Sequence, residues 1–141
     1  MTAAGDQAFA STTAGNLALC LIEMGRFDEA ERYARIATET ASSDDFVSQA
    51  MSRAAMGRIL ASQGAVKEGE AQAREAIQLV DASDYLNFQG EMQLELARIL
   101  WTAGRRGEAE EAVGRAIDRF EAKGATAWVT RARGWLPPAS D

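Results

Sequence analysis

The chain of 141 residues has no histidine, one cysteine and two prolines. Without histidine it lacks the commonest general base and the commonest metal-ligating ring. A single cysteine rules out an intramolecular disulfide and a multi-thiolate metal site. That cysteine, Cys20, stands inside the apolar run "LALCLI" with no basic residue nearby. It reads as a small buried hydrophobe. Both prolines, Pro137 and Pro138, stand near the end, so none interrupts a helix upstream. No apolar run approaches the ~18 residues of a membrane span. The opening "MTAAGDQAFAS" has neither the basic region nor the apolar core of a signal peptide, and a cytoplasmic location is expected. No G-x-x-x-x-G-K-[ST] loop and no G-x-S-x-G elbow occur. The adjacent acids Asp44 and Asp45 stand where a helix starts, which makes them caps rather than an acid–base pair. The expectation is no enzyme, no cofactor and no metal. The net charge of −6 argues against nucleic acid and against an anionic membrane surface as partners.

What is present is helix-forming. The chain is 47% apolar and 26% charged, rich in alanine and glutamate and poor in β-branched residues. One phrase occurs three times: "GRFDEAERYARIA" from Gly25, "GAVKEGEAQAREA" from Gly64 and "GRRGEAEEAVGRA" from Gly104. The spacings are 39 and 40 residues. Before each glycine, Leu21, Leu60 and Leu100 align, as do Cys20, Ile59 and Ile99, and the small residues Ala18, Gly57 and Ala97. After it, Ala30, Gly69 and Ala109 align, then Ala34, Ala73 and Val113, then Ala37, Ala76 and Ala116. These offsets make one apolar stripe before the glycine and one small-residue stripe after it. Small residues on both helices allow close approach in an antiparallel hairpin, with the glycine in the left-handed turn between them. Glutamates at 29, 68 and 108 sit in the first turn of each second helix, at the positive end of its dipole.

Seven helices are expected, near 11–24, 27–42, 46–63, 66–82, 85–103, 106–123 and 125–136. "SSDDF" and "ASDY" offer Ser or Asp as N-caps for the third and fifth. Residues 1–10 are expected to be frayed and 137–141 to be a tail. The last helix has no partner after it and reads as a cap on the stack.

A leucine, a small residue, a turn glycine, an aromatic and spaced alanines resemble the tetratricopeptide repeat. In the first unit Leu17, Ala18, Leu21, Gly25, Phe27, Ala30 and Ala37 carry the resemblance. The second unit departs at Val66 and Gly69, the third at Arg106, and the period exceeds the family's ~34 residues. The resemblance implies an all-α fold: a right-handed α–α superhelix of about three hairpins over 11–136 (units 11–42, 46–82 and 85–123, cap 125–136). Residues in "DDFVSQ", "SDYLNFQG", "LELARILWTAGRRGEAEEA" and "FEAKG" are similar to the C-terminal repeat arm of bacterial multidomain cyclase, ATPase or transcription-regulator signalling proteins.

Function then falls to the concave face, built by the first helix of each unit. By offset, that face carries Asn16, Leu19 and Ile22, then Met51, Ala55 and Arg58, then Glu91, Glu95, Arg98 and Trp101, and Arg131. Asn16, Arg58, Glu95, Arg98, Trp101 and Arg131 are the candidate partner-binding residues. Arg58 and Arg98 are repeat-equivalent, and two stacked guanidiniums suit a peptide carboxylate. The alternative is that they pair with nearby Glu91 and Glu95. Trp101 is either an exposed anchor or packed on the last helix beside Trp128. The expected partner is a protein or peptide, in a bacterial signalling or regulatory system. Self-association, an intramolecular regulatory arm and a small-ligand or peptide sensor are the alternatives. The Lys and Asn set of the carboxylate-clamping tetratricopeptide subclass is absent from the groove positions Gly15, Leu19, Ala54 and Ala55.

Overall fold

The computed structural model describes residues 3–42 and 45–135, with side chains described from residue 13 onward. It is all-α. The order is α1 (Ala3–Glu23), α2 (Phe27–Thr40), α3 (Phe46–Ser62), α4 (Val66–Asp81), α5 (Leu86–Thr102), α6 (Arg106–Lys123) and α7 (Thr126–Trp135). Three antiparallel hairpins, α1–α2, α3–α4 and α5–α6, stack in sequence, and α7 packs on α6. One expectation changes: α1 begins at Ala3 rather than near residue 11. The alanines of "AAGDQAFA" favour helix strongly enough to extend it backwards. Leu136 and the 137–141 tail lie outside the described residues.

The turns repeat atom for atom. Gly25, Gly64 and Gly104 have φ of 76°, 91° and 81°. After each, the next backbone N–H donates to a leucine carbonyl: Arg26 to Leu21, Ala65 to Leu60 and Arg105 to Leu100, each at 2.9 Å. The glycine N–H groups donate to Ile22, Ala61 and Trp101. This is the Schellman closure, which satisfies the last carbonyls of the first helix and needs a residue without Cβ. Caps at the helix starts differ. Asp45 accepts from the Ser48 N–H at 3.1 Å and caps α3 as expected. At α5 the N-cap is Tyr85, with no side-chain cap bond. Ser83 Oγ instead accepts from the Tyr85 N–H.

The small-residue stripes meet within each hairpin. Ala18 and Ala30, then Ala97 and Ala109, are fully buried in units one and three. In unit two both positions are glycine, and the backbones touch. A Cβ on Gly57 would stand 2.6 Å from the Gly69 carbonyl oxygen, and a Cβ on Gly69 2.5 Å from that of Gly57. The departure of Gly69 from the repeat pattern is therefore matched by Gly57 opposite. A second size match fixes the end of the stack. The ring of Phe120 on α6 lies 2.5 Å from where a Gly90 Cβ would be, and Phe120 is itself fully buried. Phe120 stacks on Trp128 of α7, ring centroids 5.3 Å apart, which seats the final helix.

Gly57→Ala is expected to lower unfolding stability in urea by about 1–3 kcal/mol, because the new methyl meets backbone that has to move. Gly114→Ala, where nothing stands within 4 Å, is expected to raise stability by about 0.5–1 kcal/mol through helix propensity. Equal effects at the two sites would refute the close approach.

Candidate functional site: a groove between the first, fifth and seventh helices

The first helices pack more tightly than offsets alone suggest. Met51 and Ala55 of α3 and Ile22 of α1 are buried, so they do not line an open surface. Across α3, side chains of α1 and α5 meet: Glu23 of α1 lies 3.4 Å from Nε of Arg98 on α5. Arg58 of α3 is held beneath them.

These groups close a ring. Arg58 Nη1 donates to Glu23 Oε1 and to Glu95 Oε2, both at 2.8 Å. Arg98 Nη1 donates to Glu95 Oε1 at 2.8 Å. Two guanidiniums thus face two carboxylates drawn from three helices. Glu95 is only 6% exposed, and a carboxylate so placed needs its charge-assisted bonds. Burial acts against the charged form of Arg58, but Glu95 and Glu23 outweigh it and hold its pKa above the ordinary value. Burial likewise tends to raise Glu23, yet the hydrogen bond from Arg58 and the charge of Arg98 bring it below the usual carboxylate range. The two arginines are repeat-equivalent, as expected, and are engaged by the chain's own acids, Glu95 and Glu23. Glu91 is not one of their partners.

Beside this ring lies a groove of about 450 Å³, lined by Asn16, Leu19, Cys20, Glu23, Glu91, Leu94, Glu95, Arg98, Trp128 and Arg131. Four of the six sequence candidates, Asn16, Glu95, Arg98 and Arg131, line it. Arg58 adjoins it through the ring. Trp101 stands apart: its ring meets Trp135 edge-on at 5.9 Å and carries the Arg106 guanidinium at 4.6 Å. It packs on the last helix through Trp135, while Trp128 is taken by Phe120. Arg131 lies 5.1 Å over the Trp128 ring. Cys20 is exposed, against the expectation of burial. Its equivalents Ile59 and Ile99 are buried. Ile99 abuts Gly57 of the preceding unit, and among the described residues nothing precedes unit one.

Glu91 differs from every other acid in the groove. Among the described residues no donor hydrogen-bonds to it and no cation reaches ion-pair distance. Burial and the nearby Glu95 charge push its pKa up to about 7, against a weaker pull from Arg131. Offset reasoning placed Glu91 on this face but gave it no role beyond pairing. The absence of a cation at its neighbouring helical positions was not decisive, since partners come from other helices.

The first unit carries a likeness to a known family. Residues 12–44 match the family model described as tetratricopeptide repeat. The match covers the second half of α1 and all of α2, and the all-α stack of three hairpins is consistent with a tetratricopeptide-type repeat. Tetratricopeptide repeats generally mediate contacts between proteins. No curated protein matches the chain. Among the described residues no helix is long and apolar enough to cross a membrane. No group of three or more metal-ligating side chains is found among them.

The raised Glu91 pKa has a measurable consequence. The folded state holds the Glu91 proton more tightly than the unfolded state does. The resulting stability is present below the ordinary carboxylate pKa of 4.5 and is lost as pH rises through about 7. Glu91→Gln is therefore expected to match the wild type near pH 4 and exceed it by roughly 1–3 kcal/mol near pH 8. Urea unfolding across that range checks it, and a difference independent of pH would contradict the burial of an ionisable Glu91.

Proposed function

We propose that the protein is a non-catalytic interaction module that holds a peptide or protein domain in the groove between α1, α5 and α7. The observation that carries this reading is the groove itself. It is concave, formed by helices from the first and third units and the cap, and mixes apolar walls with fixed charges. Leu19 and Trp128 supply the partly exposed apolar wall, and the Glu23–Arg58–Glu95–Arg98 ring ties α1 to α5 through α3. Rigid framing of this kind lowers the ordering cost of binding. The tetratricopeptide match in α1 and α2 supports a protein ligand. The resemblance of the α3, α5 and α6 stretches to bacterial signalling arms supports a regulatory setting, with another domain of such a system as ligand.

Binding at this face calls for a positional test. A photo-crosslinking amino acid at Asn16 or Arg131 is expected to capture a protein partner, whereas the same probe at Lys67 or Asp118, exposed on α4 and α6, is expected to capture none. Capture confined to Lys67 or Asp118 would overturn the assignment.

A second reading rests on a separate surface. Leu17 on α1 is 41% exposed, and Met24 in the turn that follows α1 is 63% exposed. Leu96, the equivalent of Leu17 in unit three, is fully buried. This exposed apolar surface favours self-association. Light scattering is expected to show a mass that rises with concentration, abolished by Leu17→Lys, and a concentration-independent monomer would remove this reading.

A further inference from the structure

One side of α1 is apolar, uncharged and uncovered. Leu17, Cys20 and Met24 are all exposed. The Met24 N–H donates to the Cys20 carbonyl at 3.2 Å, so the helical path reaches Met24 and sets it one turn above Cys20. The three side chains form one stripe, which the exposed Thr13 extends by a turn. No charge interrupts it. Between Thr13 and Met24 the only charged residue is Glu23, and Arg58 and Arg98 take its carboxylate on the adjoining groove face. Cys20 stands where the stripe meets that groove.

Elsewhere in the chain the same positions are covered. Ile59 and Ile99 match Cys20 and are each 1% exposed. Ile59 shares a core with Ala18, Leu21 and Ile22 of the preceding hairpin. Leu96 matches Leu17 and is fully buried, and Met56 matches it and is partly buried. The side of α1 that carries Leu17 and Cys20 is therefore one on which α3 and α5 each receive a neighbouring hairpin.

We infer that a second copy of this chain covers the stripe, the two α1 helices packing antiparallel about a two-fold axis beside Cys20. This rests on the self-association reading and names its geometry. Three observations select it. A two-fold contact sets a patch against itself, so any charge in the patch meets its like. This patch holds none, and it offers no charge by which to select a charged partner. Head-to-tail stacking is closed off, because it needs the far face of the third hairpin, where α7 already lies. Val129 and Ala132 of α7 are buried, Trp128 stacks on Phe120 of α6, and Trp135 meets Trp101 of α5. The spacing also suits reversal. Leu17 lies three residues before Cys20 and Met24 four after it, so Leu17 of each copy meets Met24 of the other. One helical stripe is a small interface, and the dimer dissociates on dilution.

The test uses the full chain. Light scattering over rising concentration reads the assembly, and a short bis-maleimide reads the proximity of the two Cys20 thiols. Circular dichroism confirms that each variant folds. The mass is expected to level at two copies, with Cys20 cross-linked. A thiol moved to α4, as Lys67→Cys in a Cys20→Ser background, is expected to give no cross-link. Leu17→Lys and Met24→Glu should each weaken association about tenfold, since each sets a charge against an apolar side chain of the other copy. Both changes in one chain should recover most of that loss, because reversal places opposite charges against each other. Single variants that associate like the wild type overturn the antiparallel pair and leave self-association standing. So does a double variant no tighter than the single ones, a mass that climbs past two copies, or cross-linking of the Lys67→Cys variant as efficient as at Cys20. A monomer at every concentration, with Cys20 unlinked, overturns both.

Discussion

The contact on which the rest of this structure depends is the one between two backbones, where α3 crosses α4 at Gly57 and Gly69. Each glycine leaves the space that the other's carbonyl fills, so neither tolerates even a methyl group without movement. The flanking units meet through alanine pairs at the same two positions. Hairpins this close leave little room for long side chains between their helices. Their large apolar residues pack between units instead, as Ile99 does against Gly57. Close hairpins and inter-unit apolar packing are two results of one placement of small residues.

Sinking α3 between its neighbours has an electrostatic result. Arg58 ends beneath α1 and α5, where only carboxylates from both sides satisfy it, and Glu23 and Glu95 do so. Arg98 completes the ring from α5. A buried ion pair of this kind is weak evidence for stability, because desolvation offsets much of the attraction. Its effect here is positional: it joins three helices at one level of the groove. Glu91, one helical turn before Glu95, is partly buried and feels that carboxylate without sharing its guanidiniums, and burial first and the Glu95 charge second hold its pKa above the usual carboxylate range.

Much of the fold was legible because its signals are local. The glycine turns, the leucine four residues earlier and the small-residue stripes are properties of a single hairpin, repeated three times in the sequence. The groove was only partly legible, because curvature is a property of the whole stack. Offsets show which side of a helix faces away from its own partner. They do not show that α1 and α3 pack closely enough to bury Met51, Ala55 and Ile22. For the same reason Cys20 was expected to be buried, as Ile59 and Ile99 are, although no helix among the described residues covers it. Trp101 could be placed against the last helix but not against Trp135 rather than Trp128, since that depends on the turn at Gly124 and on Phe120 claiming Trp128. Glu91 was visible as a residue of the face, and its isolation emerged only from the partners taken by its neighbours.

A double-mutant cycle on Gly57 and Gly69 tests the central constraint most directly. If the two backbones share one gap, the first methyl forces the helices apart and the second enters space already opened. The account predicts that Gly57→Ala and Gly69→Ala combined lose clearly less stability than the two single losses added together, by more than about 0.5 kcal/mol. Losses that simply add would contradict it, showing that the two glycines act independently and that α3 and α4 do not meet there.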